Sequence, residues 1–124
     1  MSEKIVIALG GNALQSGKGE PTAEAQLAVV RKTCEHIAEI SGSGYEIAVV
    51  HGNGPQVGRI VMASEAAKDV TPPMPFDVCG AMSQGYIGYH IQQCLKYALN
   101  KTNRNIPVVT VATQMIVEAN DPAF

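Results

Sequence analysis

The chain has 124 residues, 46% of them hydrophobic, with a formal net charge of −2 and a pI near 5.9. That length fits one domain or part of one. The absence of a basic stripe or Lys/Arg run argues against a nucleic-acid partner. No stretch is long enough to span a bilayer and no signal-peptide pattern appears, so a cytoplasmic protein with no membrane association is expected.

The apolar content is mostly aliphatic, with no Trp and two Phe. This suits a parallel α/β sheet, whose strands are rich in Val and Ile. The three cysteines, Cys34, Cys79 and Cys94, form no C-x-x-C pair. They read as buried or half-buried thiols in a reducing compartment, without a disulfide framework or a zinc site.

In chain order, Lys4 to Leu9 reads as a first strand closed by Gly10-Gly11. A loop through Gln15-Ser16-Gly17-Lys18-Gly19-Glu20-Pro21 is flexible by composition. A helix starts near Thr22, with Leu27, Val30, Cys34, Ile37 and Ala38 on one face. Ser41-Gly42-Ser43-Gly44 stops it. Ile47 to Val50 is a second strand. A helix then runs from the following turn to about Lys68. Thr71-Pro72-Pro73-Met74-Pro75 is a rigid connector. Asp77 is placed to cap a helix from about Val78 to Leu99. Gly80, Gly85 and Gly88 fall within that helix and suggest close approach of another backbone. Ile106 to Val117, rich in β-branched residues, reads as a third strand with Pro107 near its start. The order β-α-β-α-α-β implies a parallel sheet with right-handed crossovers. Three strands would leave long apolar edges, which suggests part of a larger sheet.

Two glycine-rich turns follow strands: Gly10-Gly11-Asn12, and His51-Gly52-Asn53-Gly54-Pro55-Gln56-Val57-Gly58. Glycine lets a backbone approach a phosphate closely and permits positive φ, so that successive N–H groups can point inward. A helix starting just after the turn adds its free N–H groups and dipole. The second turn has this arrangement. The first has it less clearly, because a long loop intervenes before its helix. Asn12 and Asn53 add amides able to donate to an oxyanion. Tight turns alone would also use Gly and Asn. A dinucleotide fold is excluded by the spacing and by the lack of an acidic residue ending a strand about 20 residues on. A P-loop is excluded too, since Gly17-Lys18-Gly19 is only a fragment of one.

Other candidates are weaker. His51 could orient a substrate or simply be placed by the strand end. His36 reads as solvated and His90 as helix packing or interface. The scattered histidines show no metal-ligand spacing. Met82, Tyr86, Tyr89 and Tyr97 could form a partner-facing surface or pack in the core. No nucleophile–base pattern stands out.

Ala8-Leu9-Gly10-Gly11-Asn12-Ala13 and His51-Gly52-Asn53-Gly54-Pro55-Gln56-Val57-Gly58 resemble the N-terminal half of the carbamate kinases, within the amino acid kinase family. Met74-Pro75, Ala81-Met82-Ser83-Gln84-Gly85-Tyr86-Ile87-Gly88-Tyr89, Thr113-Gln114 and Asp121-Pro122-Ala123-Phe124 continue the resemblance in collinear order. It implies a three-layer α/β/α sandwich around a mainly parallel sheet, of which this chain would be the N-terminal lobe. It implies reversible phosphoryl transfer between ATP and carbamate, giving ADP and carbamoyl phosphate, with Mg²⁺, in a homodimer. On that mapping Gly10, Gly11, Asn12, Gly52, Asn53 and Gly54 line the acyl-phosphate site, and the helix from about Val78 is a candidate dimer element. Ala8-Leu9 stand where many relatives in the wider family carry a Lys, which resembles the carbamate kinase branch. The resemblance also implies more than twice this length, with the catalytic lysines and the nucleotide lobe in later regions. Nucleotide binding and kinase activity are therefore expected to be weak in these 124 residues alone. A non-catalytic metabolite-binding module, or a kinase acting on another acid, are the alternatives.

Overall fold

A computed structural model describes residues 3–15 and 22–123. The elements are β1 (Lys4–Leu9), α1 (Gly11–Leu14), α2 (Ala23–Ser41), β2 (Glu46–His51), α3 (Gly54–Ala66) and α4 (Phe76–Lys101). Most of the loop expected before α2 lies at 16–21, outside the described residues.

β1 and β2 pair in parallel, with Lys4 opposite Glu46 and Leu9 opposite His51. Alternation along a strand sends successive side chains to opposite faces. Ile5, Ile7 and Leu9, with Ile47 and Val49, turn toward the helices, while Val6 and Val50 stay exposed. The fold is therefore α/β with a parallel sheet, as expected. Among the described residues one helical layer covers the sheet, and the face carrying Val6 and Val50 is open.

α2 starts where Thr22 Oγ1 accepts the Ala25 N–H at 3.2 Å, a side-chain N-cap. Val30, Cys34, Ile37 and Ala38 form its buried stripe. Gln26 is buried on the same helix, whereas the expected Leu27 is only half-buried. Gly44, at φ 91°, turns the chain out of this helix in a conformation that only glycine adopts without strain.

α4 lies against α2 and buries Cys79, Ser83, Ile87, Ile91, Cys94, Leu95 and Ala98, close to one per turn along one stripe. Asp77 does not cap this helix. Pro75 is the N-cap residue and Asp77 sits in the first turn, where its charge favours the helix dipole instead. All three thiols are buried and free. Burial, with Cys94 nearby, pushes the Cys34 thiol up to about 12, and burial raises that of Cys94 despite Arg31 beside it. Such thiols are poor nucleophiles.

The expected third strand does not form. Residues 106–117 belong to no ladder. Instead the chain from Asn105 to Thr113 runs back along α4. Lys96 Nζ donates to Asn105 Oδ1 (2.6 Å) and to the Ile106 carbonyl (3.1 Å). Thr110 Oγ1 donates to Gln92 Oε1, and Gln84 exchanges hydrogen bonds with the Thr113 backbone at 2.7 and 3.1 Å. β-Branched composition favours a pleated surface, but a strand also needs a neighbouring edge. Here a groove of about 640 Å³ separates the segment from β2, floored by Ile91 and Leu95.

Of the α4 glycines, Gly88 alone is closely approached, and by a side chain rather than a backbone. The Thr110 methyl occupies the place a Gly88 Cβ would take, whereas Gly80 and Gly85 face open space. Gly88→Ala should lever the 106–113 segment off α4 and cost about 1–3 kcal/mol. Urea melts give the cost, and amide exchange at Thr113, whose N–H donates to Gln84 Oε1, should speed up selectively.

Candidate functional site

The parallel register sets Leu9 level with His51, so the two glycine turns leave the sheet side by side. Gly52 N–H reaches back to the Leu9 carbonyl at 3.4 Å and ties the second turn to the end of β1. The sheet therefore brings together both groups of residues singled out from the sequence.

The first turn differs from expectation. No long loop follows Gly10; α1, a single helical turn, starts at once, with Gly10 as its N-cap residue and Ala13 N–H bonded to the Gly10 carbonyl. The reason for glycine also differs. Among the described glycines only Gly44 has positive φ, so neither turn is a nest of left-handed residues. A Cβ at Gly10, Gly11, Gly52 or Gly54 would meet nothing within 4 Å. The chain's own packing does not require glycine at these points. What glycine does there is leave the backbone bare toward open space.

α3 begins inside the second turn. Asn53 is its N-cap residue, yet its side chain caps nothing. The first intrahelical bond from this end is Val57 N–H to the Asn53 carbonyl at 2.8 Å. Pro55 has no N–H to leave unsatisfied. The N–H groups of Gly54 and Gln56 meet no acceptor among the described residues, and of the two residues Gly54 is exposed while Gln56 is buried. Free N–H groups at a helix start, with the positive end of its dipole, attract an anion.

The Asn53 amide turns toward α4. Its Nδ2 donates to Ser83 Oγ at 2.6 Å, and Ser83 Oγ donates to the Gly80 carbonyl at 2.7 Å. Ser83 is fully buried. Asn12 is exposed and its side chain bonds to nothing among the described residues. His51 Nδ1 lies 3.0 Å from the Gly52 carbonyl, which can only accept, so this nitrogen carries the proton. The ring is held by its own turn.

The remaining candidates separate cleanly. His36 pairs with Glu39 at 3.6 Å on an exposed helix face. His90 packs edge-on to Tyr86 at 5.6 Å between centroids, and burial lowers its pKa. Tyr86 is half-buried and its hydroxyl donates to Gln26 Oε1 at 2.8 Å, so it packs inside. Met82, Tyr89 and Tyr97 are exposed. A second cleft of about 300 Å³ opens among Gln26, Gln56, Arg59, Ile60 and Tyr86. Neither concavity is centred on the paired turns, which form an open ledge.

Ser83 is the residue that sequence reasoning passed over. The signal is present: Cys79, Ser83 and Ile87 are spaced four apart, so a hydroxyl sits in the middle of the apolar stripe of α4. The described residues hold no group of three His, Cys, Asp or Glu able to bind a metal, and no helix is long and apolar enough to cross a membrane. Glycines and asparagines without a carboxylate do not by themselves fit Mg²⁺, which prefers carboxylate and water oxygens.

Residues 3–86 match the family model described as the amino acid kinase family. Over its whole length the chain is 51% identical to a carbamate kinase of Pyrococcus horikoshii, and over 98% of it 48% identical to one of Clostridium perfringens. It spans 40% of the length of each. Among solved structures, carbamate kinase from Giardia lamblia bound to AMP-PNP matches 99% of the chain with a TM-score of 0.95 and 41% identity, using 39% of that structure.

Proposed function

The chain belongs to the amino acid kinase family, and on that premise we propose that it is the substrate-side lobe of a carbamate kinase. The complete enzyme transfers a phosphoryl group reversibly between ATP and carbamate, giving ADP and carbamoyl phosphate. Residues 1–124 hold the carbamate or carbamoyl phosphate. The nucleotide, with its Mg²⁺, is held by chain beyond these residues. The setting is the cytoplasm and the assembly a homodimer, with the exposed Met82, Tyr89 and Tyr97 of α4 as the apolar contact surface.

The observation that carries this reading is the pairing of the turns. Gly10, Gly11 and Asn12 flank Gly52, Asn53 and Gly54 at level strand ends, and unpartnered N–H groups at the start of α3 stand beside bare backbone. Phosphoryl transfer asks the protein mainly for position and for stabilisation of charge on the phosphoryl oxygens. Backbone N–H donors fixed by a sheet and a helix start offer both, with no proton transfer required. AMP-PNP, bound to the Giardia lamblia carbamate kinase, supports ATP as the donor for the complete protein.

Calorimetry with carbamoyl phosphate and with ATP tests the proposal on this chain. Carbamoyl phosphate should bind and ATP should bind weakly or not at all. ATP formation from ADP and carbamoyl phosphate should be slow. Turnover comparable to that of the Pyrococcus horikoshii enzyme would contradict the division between lobes. A second reading, a metabolite-binding module without kinase activity, uses the same paired turns, which can hold an anion with no nucleotide beside them. Full activity once the chain is extended by a relative's remaining residues would dismiss it.

A further inference from the structure

The geometry points to Ser83 as a positioning residue that fixes the Asn53 amide, so that Asn53 Oδ1 recognises the amino group of the carbamoyl ligand and sets the site's preference for it. This deepens the proposed function and rests on that reading.

A single proton sets the orientation. A serine hydroxyl has one hydrogen to donate and lone pairs to accept with. Ser83 Oγ lies 2.7 Å from the Gly80 carbonyl and 2.6 Å from the Asn53 amide group. The carbonyl can only accept, so the serine proton goes to Gly80. Oγ must then accept from Asn53, and the amide must present Nδ2 to it. Amide oxygen and nitrogen are hard to tell apart by shape alone, but here the partner's proton count decides. Reversing the amide would set two acceptors against each other at a fully buried hydroxyl.

With Nδ2 committed to α4, Oδ1 occupies the other branch of the planar amide, pointing away from Ser83. It does not cap α3 and takes no hydrogen bond among the described residues. It is not among the buried unpartnered atoms, so it faces solvent. Asn53 follows Gly52, whose N–H is tied to the end of β1, so this oxygen belongs to the second turn, at the start of α3. There the exposed N–H group of Gly54 supplies a donor and Asn53 Oδ1 supplies an acceptor.

A phosphoryl group uses only donors. An acceptor beside them is idle or repulsive toward phosphate, but it complements an –NH₂ on the adjoining carbon. Carbamate and carbamoyl phosphate carry that –NH₂; acetyl phosphate has a methyl in its place and nearly the same shape. A site built to hydrogen-bond a group rejects the analogue lacking it more strongly than an apolar pocket does.

The experiment measures affinities of this chain for carbamoyl phosphate, acetyl phosphate and inorganic phosphate by calorimetry, in the parent, Ser83→Ala, Asn53→Ala and the double variant. ¹⁵N NMR follows the Asn53 side-chain amide. The parent should prefer carbamoyl over acetyl phosphate by about tenfold or more. Ser83→Ala should bring that ratio close to one, shift the Asn53 amide signal, and leave the affinity for inorganic phosphate within about twofold. The double variant should lose no more of the ratio than either single change, because the two residues act in series. A merely structural role for Ser83 would weaken all three ligands together. Should Ser83→Ala fail to fold, Asn53→Ala, at a half-buried position, still reads the acceptor directly. An unchanged ratio in Asn53→Ala, or in a folded Ser83→Ala whose amide signal has shifted, overturns the inference alone. If none of the three ligands binds the parent chain, the proposed function falls and this inference with it.

Discussion

Gly54→Ala should leave the chain as stable as before, or slightly more so, and should weaken carbamoyl phosphate binding by about tenfold or more. The two halves of this expectation come from different facts. Gly54 is the first residue of α3, its φ is not in the left-handed region, and a Cβ there would meet nothing within 4 Å. Alanine at such a position costs no strain and restricts the unfolded chain, a gain of about 0.4–1 kcal/mol. The open space is also what an anion would fill. An oxygen accepting the Gly54 N–H must come within about 2.7–3.2 Å of the nitrogen, and a methyl on the adjoining Cα crowds that approach. A urea melt and a calorimetric titration of the same sample test both halves. Normal stability with normal affinity would remove the second turn from the binding site. A large loss of stability would mean that glycine is kept there for folding.

Ile87→Ala should have the largest effect on stability, a loss of about 2–5 kcal/mol. Ile87 is 3% exposed and belongs to the cluster that joins α4 to α2 and to the inward face of the sheet. The chain has little else to rely on. Among the described residues its sheet has two strands and one covered face, and a two-stranded sheet is marginal without helices packed on it. Natural domains of this size are stable by only about 5–15 kcal/mol, so this one substitution removes a large share. With a urea slope of about 1–3 kcal/mol/M, the midpoint should fall by about 1 M or more. The neighbouring exposed change Tyr89→Ala makes the control, at a protein concentration low enough that the chain is monomeric. A comparable loss there would mean that the α4 stripe has been placed on the wrong face.

How much of this is legible in the sequence varies with the physical signal. β1 and β2 show as short apolar runs ended by glycine, and both exist within a residue of where those runs place them. The start of α2 at Thr22 is legible because side-chain capping is a local event. α4 is legible in spite of its glycines, because the stripe of Cys79, Ile87, Ile91 and Cys94 outweighs their cost of roughly 1 kcal/mol each in helix propensity. The third strand misleads because strand propensity is a property of a segment, whereas a strand is a property of a pair. Nothing in Ile106–Val117 says whether an edge lies within reach. Asp77 misleads as a cap because Pro75, two residues earlier, already fixes the chain's entry into the helix. At the site, the glycines and asparagines stand out in the sequence, but the reason for the glycines does not, since dihedral angles cannot be read from composition. Ser83 escapes notice because its significance depends on Asn53, thirty residues away, and no local rule connects them.

The groove between β2 and the 106–113 segment also governs how many copies behave together. It leaves backbone donors and acceptors on β2 and on the segment that no ladder satisfies, beside exposed Val109 and Val111. Unpaired edges are templates for other chains. Folding within one chain is first order in protein, whereas joining edges between chains is second order. Raising the concentration therefore favours association without altering the fold. The long-range brake is a net charge of −2, and it vanishes near the pI of about 5.9. Colloidal stability of the folded chain is thus set by concentration, salt and distance from that pH.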